Sequence, residues 1–365
     1  MELWDLLNER GEKTGKTMIR GERLRLGQFH LVVHIWVTDS AGRLLIQRRA
    51  DHLQLMPGIW AITGGSAIHG EDSVTAARRE LREELLQKGH IFKTNTDSEV
   101  LLHGYEEWGA DLLPRLRGMF GFAIWNIPEK RLFIARDYFG IKPMHYTRLA
   151  DGRLVFGSEI KSILAHPDVK KELNPAALDK YLSFQYSVPA ETFFKDIYCL
   201  PPAHYLTYAD GQVEITRYWE PTFHPDESMT LEQAVDEIDR AFTDSVAAHR
   251  ISDVEVGCFL SGGVDSSFVA SYFAGQKAFT VGFDNGQHYN ESNYAAELAK
   301  EVGIEHHVHI IGEEEYWEAL PQVQYYLDQP LADPSCVALY FVSKLAAEKV
   351  KVVLSGEGAD ELFGG

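Results

Sequence analysis

The sequence predicts a multidomain protein in which α+β segments precede an α/β domain. The chain has 365 residues, which is more than one ordinary hydrophobic core organises. Short candidate strands recur between residues 119 and 157, a spacing typical of an antiparallel sheet. From residue 231 onward helical and strand patterns alternate, which predicts a doubly wound parallel sheet.

The first 230 residues contain mostly short elements. Apolar runs predict strands at 28–38 and 43–48. A helix is predicted over 72–87, because its first turn is acidic, Ala and Leu recur inside it, and Gly89 follows its end. A second helix is predicted at 176–186, and the Pro-rich stretch 219–230 is typical of a linker. The remaining predicted strands are 90–94, 119–126, 131–137, 144–148 and 153–157.

The last 135 residues or so follow the alternating pattern of an α/β domain. The predicted helices are 231–249, 265–274, 291–302 and 334–349. The predicted strands are 254–260, 278–283, 306–310 and 351–355.

Bulk composition narrows the partners and the compartment. The formal net charge of −19 argues against nucleic acid or an anionic membrane, because phosphate groups would be repelled. The three cysteines are widely spaced, which fits a reducing cytoplasm and gives no zinc motif. The first residues lack the pattern of a signal peptide, and no apolar run approaches the roughly 20 residues that span a bilayer. We expect a cytoplasmic protein that acts on small molecules, and a homodimer is compatible with this expectation.

Three carboxylates share one face of the helix predicted at 72–87. Glu80, Glu83 and Glu84 are spaced i, i+3 and i+4, so they project together. Such a cluster repels itself unless a divalent cation neutralises it, and Mg²⁺ with a phosphate substrate is the usual solution. The alternative is a solvated helix whose acids pair with neighbouring arginines at helical spacing.

The same helix resembles the signature of the Nudix hydrolases. The matching residues are Gly65, Glu71, Arg79, Glu80, Leu81, Glu83 and Glu84. Leu86 stands where the signature ends in Gly, and the sequence beyond it no longer resembles that family. The resemblance implies a partial Nudix sheet in residues 1–86, with Mg²⁺ on the three glutamates.

A second anion site is predicted in the C-terminal part. An apolar strand ends at Leu260, Ser261–Ser267 follows, and a helix then begins. Small residues at this point let backbone N–H groups face an anion, and the helix N-terminus adds its positive dipole end. No Lys follows the glycines, so the pattern is not a Walker A loop.

Several strings together resemble the glutamine-dependent asparagine synthetases. Residues 261–267 resemble a PP-loop, and the C-terminal string 353–365 resembles a second motif of that family. Residues 279–283 match the strand that holds adenosine in the family. Upstream, residues 79–85, 118–125, 135–143 and 156–161 match its glutaminase domain. The resemblance implies three segments: 1–86 is Nudix-like, 87–220 is a partial Ntn-type antiparallel glutaminase sheet, and 221–365 is a doubly wound PP-loop ATP pyrophosphatase domain.

The resemblance implies a glutaminase half without its chemistry. In the family the nucleophile is an N-terminal cysteine, whereas this sequence begins Met1-Glu2. The arginine loop and the Asn-Gly oxyanion hole are also missing, and only Asp97 matches a glutamine-binding position. Cys199 is not an obvious substitute, because it precedes a Pro-Pro loop with no base nearby in sequence.

The resemblance also assigns roles in the synthetase half. Asp265 and Asp360 would bind Mg²⁺, and Glu357 would act as the general base. The aspartate β-carboxylate would attack the α-phosphorus of ATP, and ammonia would then displace AMP. The family continues beyond residue 365 with a lysine near the phosphates and much of the aspartate pocket, so ATP binding is the most robust expected activity. The residues expected to contact ATP are Leu260, Ser261, Gly262, Gly263, Asp265, Ser266, Ser267, Val281, Ser355 and Gly356.

Three functional hypotheses follow from these motifs. The first is an asparagine synthetase homologue that uses ATP, aspartate, and ammonia or glutamine. The second is a Nudix-type diphosphate hydrolase. The third is a chimera, joined at the string 79–85 that both families share, which only binds ATP.

Overall fold

The computed structural model describes residues 3–7, 13–19, 32–35, 47–48, 60–61, 63–66, 81–94, 96–186, 190–250, 252, 254–284 and 292–363. The chain divides into two compact units. Unit 1 comprises residues 1–142 and 202–228, and unit 2 comprises 143–201 and 229–365. The domain boundaries predicted at residues 86 and 220 remain predictions.

Unit 1 begins with three small pairs of antiparallel strands. β1 (Leu3–Leu7) pairs with β2 (Lys13–Ile19). β3 (Val32–Ile35) pairs with β6 (Thr63–Ser66), and β4 (Gln47–Arg48) pairs with β5 (Trp60–Ala61). The strands predicted at 28–38 and 43–48 thus contain described strand residues, and the remainder of both lies outside the described residues.

A helical pair follows these strands. Residues 81–87 are helical and form α1, while residues 72–80 of the predicted helix lie outside the described residues. α2 spans Asp97–Trp108 and continues into a 3-10 helix at Gly109–Arg115. The prediction of a strand at 90–94 is wrong. This segment is an irregular connection in which the Glu99 carboxylate accepts hydrogen bonds from the backbone N–H groups of Lys93 and Thr94.

The main sheet of unit 1 has four antiparallel strands in the order β13-β12-β8-β7. These strands are β7 (Gly121–Asn126), β8 (Arg131–Arg136), β12 (His204–Ala209) and β13 (Gln212–Arg217). Phe133 on β8 is buried against aromatic neighbours from both the sheet and α2. Asp137 follows β8 and is buried. Its carboxylate accepts hydrogen bonds from the backbone N–H groups of Phe139, Ile141 and Lys142, which compensate for its burial.

Unit 2 starts with a second antiparallel sheet, in the order β10-β9-β11. Its strands are β9 (His145–Arg148), β10 (Leu154–Gly157) and β11 (Ile197–Cys199), and its helices are α3 (Ile160–Leu164) and α4 (Pro175–Phe184). This part is bound to the end of a later helix, α8 (Glu313–Leu327). The Asp328 carboxylate accepts the backbone N–H of Ile160 at 2.6 Å and the ammonium of Lys161 at 2.9 Å.

The second part of unit 2 is a parallel sheet in the order β16-β15-β14-β17. Its strands are β14 (Val256–Phe259), β15 (Lys277–Phe283), β16 (Glu305–Ile311) and β17 (Val352–Leu354). The helices that accompany it, besides α8, are α5 (Leu231–His249), α6 (Val264–Ser271), α7 (Ser292–Val302), α9 (Ser335–Ala347) and α10 (Ala359–Phe363).

Helices cover both faces of this parallel sheet. On one face Ala278 of β15 packs in a cluster with buried residues of α5, α6 and α7. The next residue, Phe279, points the other way and packs against Val342 and Ala346 of α9. Successive side chains of a strand alternate between faces, so both faces of β15 are buried. The alternation predicted after residue 231 is confirmed as a parallel sheet, and none of the described helices is long and apolar enough to cross a membrane.

Candidate functional site

A cleft of about 790 Å³ lies at the carboxyl ends of the parallel strands of unit 2. Parallel α/β sheets bind ligands at this edge, because loops from adjacent strands converge there. Its volume falls within the roughly 300–1,000 Å³ range of small-molecule sites. The residues lining it that the sequence predicted are Leu260, Ser261, Gly263, Asp265, Ser266, Val281, Ser355, Gly356, Glu357 and Asp360. Gly262 and Ser267, also predicted, do not line it.

The first wall of the cleft is the loop between β14 and α6, which we call the Gly-Gly loop (residues 260–263). Gly262 adopts a φ of 93°, a conformation that L side chains rarely enter. The Ser261 and Ser266 hydroxyls lie 2.8 Å apart, and the Ser261 hydroxyl also accepts the backbone N–H of Gly263 at 3.3 Å. These bonds hold the loop closed on the first turn of α6, and Asp265 and Ser266 of that turn line the cleft.

The second wall is the loop that follows β17, residues 355–361. Because β14 and β17 are parallel neighbours, both loops leave the sheet at the same edge. Gly356 packs directly on the start of α6. A Cβ atom at this position would lie 2.8 Å from the backbone N of Ser266 and 2.9 Å from the backbone C of Asp265. Only glycine permits this approach, so the two sequence motifs are in van der Waals contact.

Four carboxylates line the cleft and are exposed to solvent: Asp265, Glu357, Asp360 and Glu361. Asp265 lies in the first turn of α6, and Asp360 lies in the first turn of α10, after the second loop. Carboxylate oxygens are the ligands that Mg²⁺ prefers, usually together with substrate phosphate and water. The two aspartates to which the family resemblance assigned Mg²⁺ thus line the same cleft.

A buried layer beneath the Gly-Gly loop fixes its base. The Thr280 hydroxyl is buried and donates to the carbonyl of Leu260, and it lies 2.7 Å from His306 Nε2. Because the single hydroxyl proton goes to Leu260, His306 Nε2 donates to Thr280. Burial lowers the pKa of His306, which keeps the ring neutral in this role.

Sequence reasoning missed the third wall, which is one face of α9 and the end of α8. The α9 residues recur at helical spacing, and this period was the signal available in the sequence. Burial raises the pKa of the Cys336 thiol on this wall, so it is a poor nucleophile. The missed lining residues include Tyr326, Leu331, Ser335, Cys336, Leu339 and Ser343.

The carboxylates predicted for the Nudix-like metal site have different surroundings. Glu84 is buried and lies 3.4 Å from the guanidinium of Arg115, which itself covers the Trp108 ring. Glu83 is half-buried, and Glu80 lies outside the described residues. Glu84 therefore balances a buried cation, a role that sequence reasoning did not foresee. Asp97, predicted to bind glutamine, is exposed in the first turn of α2.

Three protein-family models match the chain. Residues 77–219 match a glutamine amidotransferase domain, and residues 237–365 match asparagine synthase. Residues 28–117 match the NUDIX domain, so this match overlaps the amidotransferase match at 77–117. The overlap contains the string 79–85 that the sequence shares with both families.

Curated relatives support the same assignment. Asparagine synthetase [glutamine-hydrolyzing] 1 of Bacillus subtilis (strain 168) is 43% identical over 292 residues, covering 78% of this chain and 45% of the relative. A putative asparagine synthetase of Mycobacterium tuberculosis (strain ATCC 25618 / H37Rv) is 41% identical over 298 residues, which again cover 78% of this chain and 45% of the relative. The chain thus spans about half the length of these curated relatives. Residues 77–365 are homologous to the glutamine-hydrolysing asparagine synthetases, a ligase family, and carry that family's amidotransferase and synthase domains.

Proposed function

We propose that the cleft of unit 2 binds Mg-ATP and that the chain activates the β-carboxylate of aspartate by adenylation. One observation carries this proposal. The close approach of Gly356 to Asp265 and Ser266 joins an anion-binding loop to a second, acidic loop around one cavity. An anion site beside two carboxylates is suited to a polyphosphate that carries a divalent cation.

The nucleotide contacts follow from the walls of the cleft. The pyrophosphate of ATP would lie over the Gly-Gly loop and the first turn of α6, where it would meet the positive end of the helix dipole. Leu260 and Val281 both line the cleft and would offer apolar side chains to the adenosine. The backbone of Ser355 and Gly356 closes the opposite side.

Asp265 and Asp360 are the residues that would hold Mg²⁺. When bound there, the ion would neutralise the charge of the triphosphate and of the departing pyrophosphate. The two carboxylates come from different loops, so a substitution in either should weaken nucleotide binding.

The chemistry would proceed in two steps. A β-carboxylate oxygen of aspartate bonds to the α-phosphorus, and the bond to pyrophosphate breaks. Ammonia then bonds to the acyl carbon of β-aspartyl-AMP, and the bond to AMP breaks. Glu357 is exposed in the cleft and would accept the proton that the attacking nitrogen loses. The chain's contribution is mostly positioning and charge compensation.

We propose that ammonia, rather than glutamine, is the nitrogen source for this chain. The amidotransferase match begins at residue 77, and residues 28–76 ahead of it belong to the NUDIX match. Glutamine hydrolysis requires a reactive thiolate. Cys258 is buried with its pKa raised to about 12, and the pKa of Cys336 is also raised.

All three cysteines are free thiols, which fits a reducing compartment such as the cytoplasm.

A second candidate, diphosphate hydrolysis, is favoured by the NUDIX match at 28–117. It would need Glu80, Glu83 and Glu84 around Mg²⁺. The ion pair with Arg115 opposes that role for Glu84. Hydrolysis of nucleoside or prenyl diphosphates that is lost in Glu83→Gln would establish this activity.

Pyrophosphate release by the purified chain tests the main proposal. We expect release that requires ATP, Mg²⁺ and aspartate together, and its loss in Asp265→Asn and Asp360→Asn. Glutamine should not replace ammonia, and no glutamate should form. Tight ATP binding without aspartate-dependent release would reduce the function to nucleotide binding, whereas absence of ATP binding would refute the proposed site.

A further inference from the structure

Two histidines and a glutamate converge in unit 1, far from the synthetase motifs in sequence. His90 lies just after α1, and His103 and Glu106 lie one turn apart on α2. His103 Nδ1 is 2.8 Å from Glu106 Oε2, and His90 Nδ1 is 3.6 Å from the same oxygen. Within the described part of the chain, these three side chains form a group whose candidate ligand atoms all lie within 4.8 Å of one another.

The outer nitrogen of each imidazole faces a further carboxylate. His90 Nε2 lies 3.3 Å from Glu107, which is also bonded to the Lys88 ammonium at 2.7 Å. His103 Nε2 lies 3.7 Å from Glu99. The hydrogen bond of His90 Nε2 with Glu107 favours the tautomer that carries its proton on Nε2. The 2.8 Å contact of His103 Nδ1 with Glu106 is a hydrogen bond in which Nδ1 donates, and a bound cation would take the place of that proton. Both rings point Nδ1 toward the same Glu106 oxygen.

The spacing of the three donor atoms suits a small tetrahedral cation. Bonds of about 2.0–2.1 Å to N and O ligands place tetrahedral donor atoms roughly 3.3–3.4 Å apart. The two distances to Glu106 Oε2, 2.8 and 3.6 Å, lie on either side of that value. The Glu106 side chain is half exposed, which leaves its carboxylate room to adjust to a bound ion.

The charge and the burial of this group also favour a bound cation. The histidine side chains are only 16% and 15% exposed, and three glutamates surround them. The three glutamates give this group a formal charge of about −3, and Lys88 is bonded to one of them, Glu107. A divalent cation between the two rings, whose centroids are 5.0 Å apart, would offset this negative charge.

We propose that His90, His103 and Glu106 form a site for one divalent transition-metal ion of the zinc type, with water as the fourth ligand. Imidazole nitrogen donors favour Zn²⁺ over Mg²⁺. The ion would join the connection after α1 to the middle of α2, two segments that are otherwise linked by exposed hydrogen bonds. Its role is to stabilise this part of unit 1, and it is independent of nucleotide binding in unit 2.

Metal titration of the full chain tests the proposal. After treatment with a chelator, the chain should bind one equivalent of Zn²⁺ by calorimetry. Co²⁺ should give the visible absorption of a tetrahedral site. His90→Gln and His103→Gln should each weaken this binding by at least about 100-fold, which exceeds the loss expected from a change in the outer carboxylates.

Two further variants separate metal binding from folding. Glu106→Gln changes an exposed side chain, so it should fold normally and lose the rise in melting temperature that Zn²⁺ gives the wild type. His307→Gln is the matched control, because His307 also lies 2.8 Å from a glutamate, Glu305, outside any such three-residue group among the described residues. It should retain the site. Failure to bind one equivalent, or equal binding in His103→Gln, Glu106→Gln and the wild type, would overturn the proposal.

Discussion

Replacement of Gly356 by alanine should weaken ATP binding far more than it weakens the fold. The new methyl group would lie 2.8 Å from the backbone N of Ser266 and 2.9 Å from both the backbone C and the Cβ of Asp265. Favourable contacts of this kind begin near 3.5 Å, so the two loops must separate by about half an ångström or more. Backbone atoms make two of these contacts, and they cannot be relieved by a change of rotamer.

The expected magnitude follows from the cost of overpacking, which is typically 1–3 kcal/mol. If this cost is expressed as separation of the Gly-Gly loop from residues 355–361, the Kd for Mg-ATP rises by roughly 5- to 150-fold. Isothermal calorimetry measures this change, and urea unfolding measures stability in parallel. A loss of binding without a comparable loss of stability would show that the contact serves the site.

Gly312→Ala provides the matched control in the same domain. Gly312 also has a negative φ, and its new Cβ would meet only Asp284, at 3.5 Å, which is an ordinary contact. It should bind Mg-ATP like the wild type, with at most the small stability change of a helix cap. Wild-type affinity in Gly356→Ala would refute the inference that the two motifs form one nucleotide site.

Three further predictions concern the cleft carboxylates, the buried ion pair and the cleft thiol. Asp265→Asn and Asp360→Asn should each weaken Mg-ATP binding by about tenfold or more in calorimetry. The control Glu314→Gln, an exposed change on α8, should leave the affinity unchanged. Equal affinities in all three variants and the wild type would contradict the metal assignment. Arg115→Met should lower the free energy of unfolding in urea by about 3–5 kcal/mol, because it leaves the Glu84 charge buried and unpaired. The double variant Arg115→Met with Glu84→Leu should recover much of this loss, since it removes the unpaired charge. Mg-ATP should protect Cys336 from alkylation but not Cys199, as followed by mass spectrometry. Because burial raises the Cys336 pKa and the thiolate is the reactive form, the unprotected rate should keep increasing above pH 9.0.

The synthetase half of the fold was predictable because its signals are local. A strand that ends in small residues before a helix predicts an anion site, and parallel neighbours place their loops at one edge. The structure accordingly brings the Gly-Gly loop and residues 355–361 together. The hairpin of β12 and β13 also had a local signal that was overlooked. Asp210-Gly211 links alternating strands with φ values of 50° and 75°, the conformation of a type I′ turn.

Other features depend on contacts between distant residues and had no local signal. Glu84 and Arg115 are 31 positions apart, so the spacing of the glutamates on α1 could not show that one of them would be buried against an arginine. The proposed metal site likewise includes His90, which lies in a connection that the sequence pattern assigned to a strand. α8 begins with three glutamates, a usual helix start, but Pro321 within it weakened the pattern.

Calorimetric titration of the chain with Mg-ATP, in the presence and absence of aspartate, tests the central claim most directly. We expect one ATP site, with affinity that depends on Mg²⁺ and falls in Asp265→Asn. Aspartate should add the heat of a reaction that releases pyrophosphate. Saturable ATP binding that is indifferent to Mg²⁺ and unchanged in Asp265→Asn would contradict a nucleotide site built from these two loops.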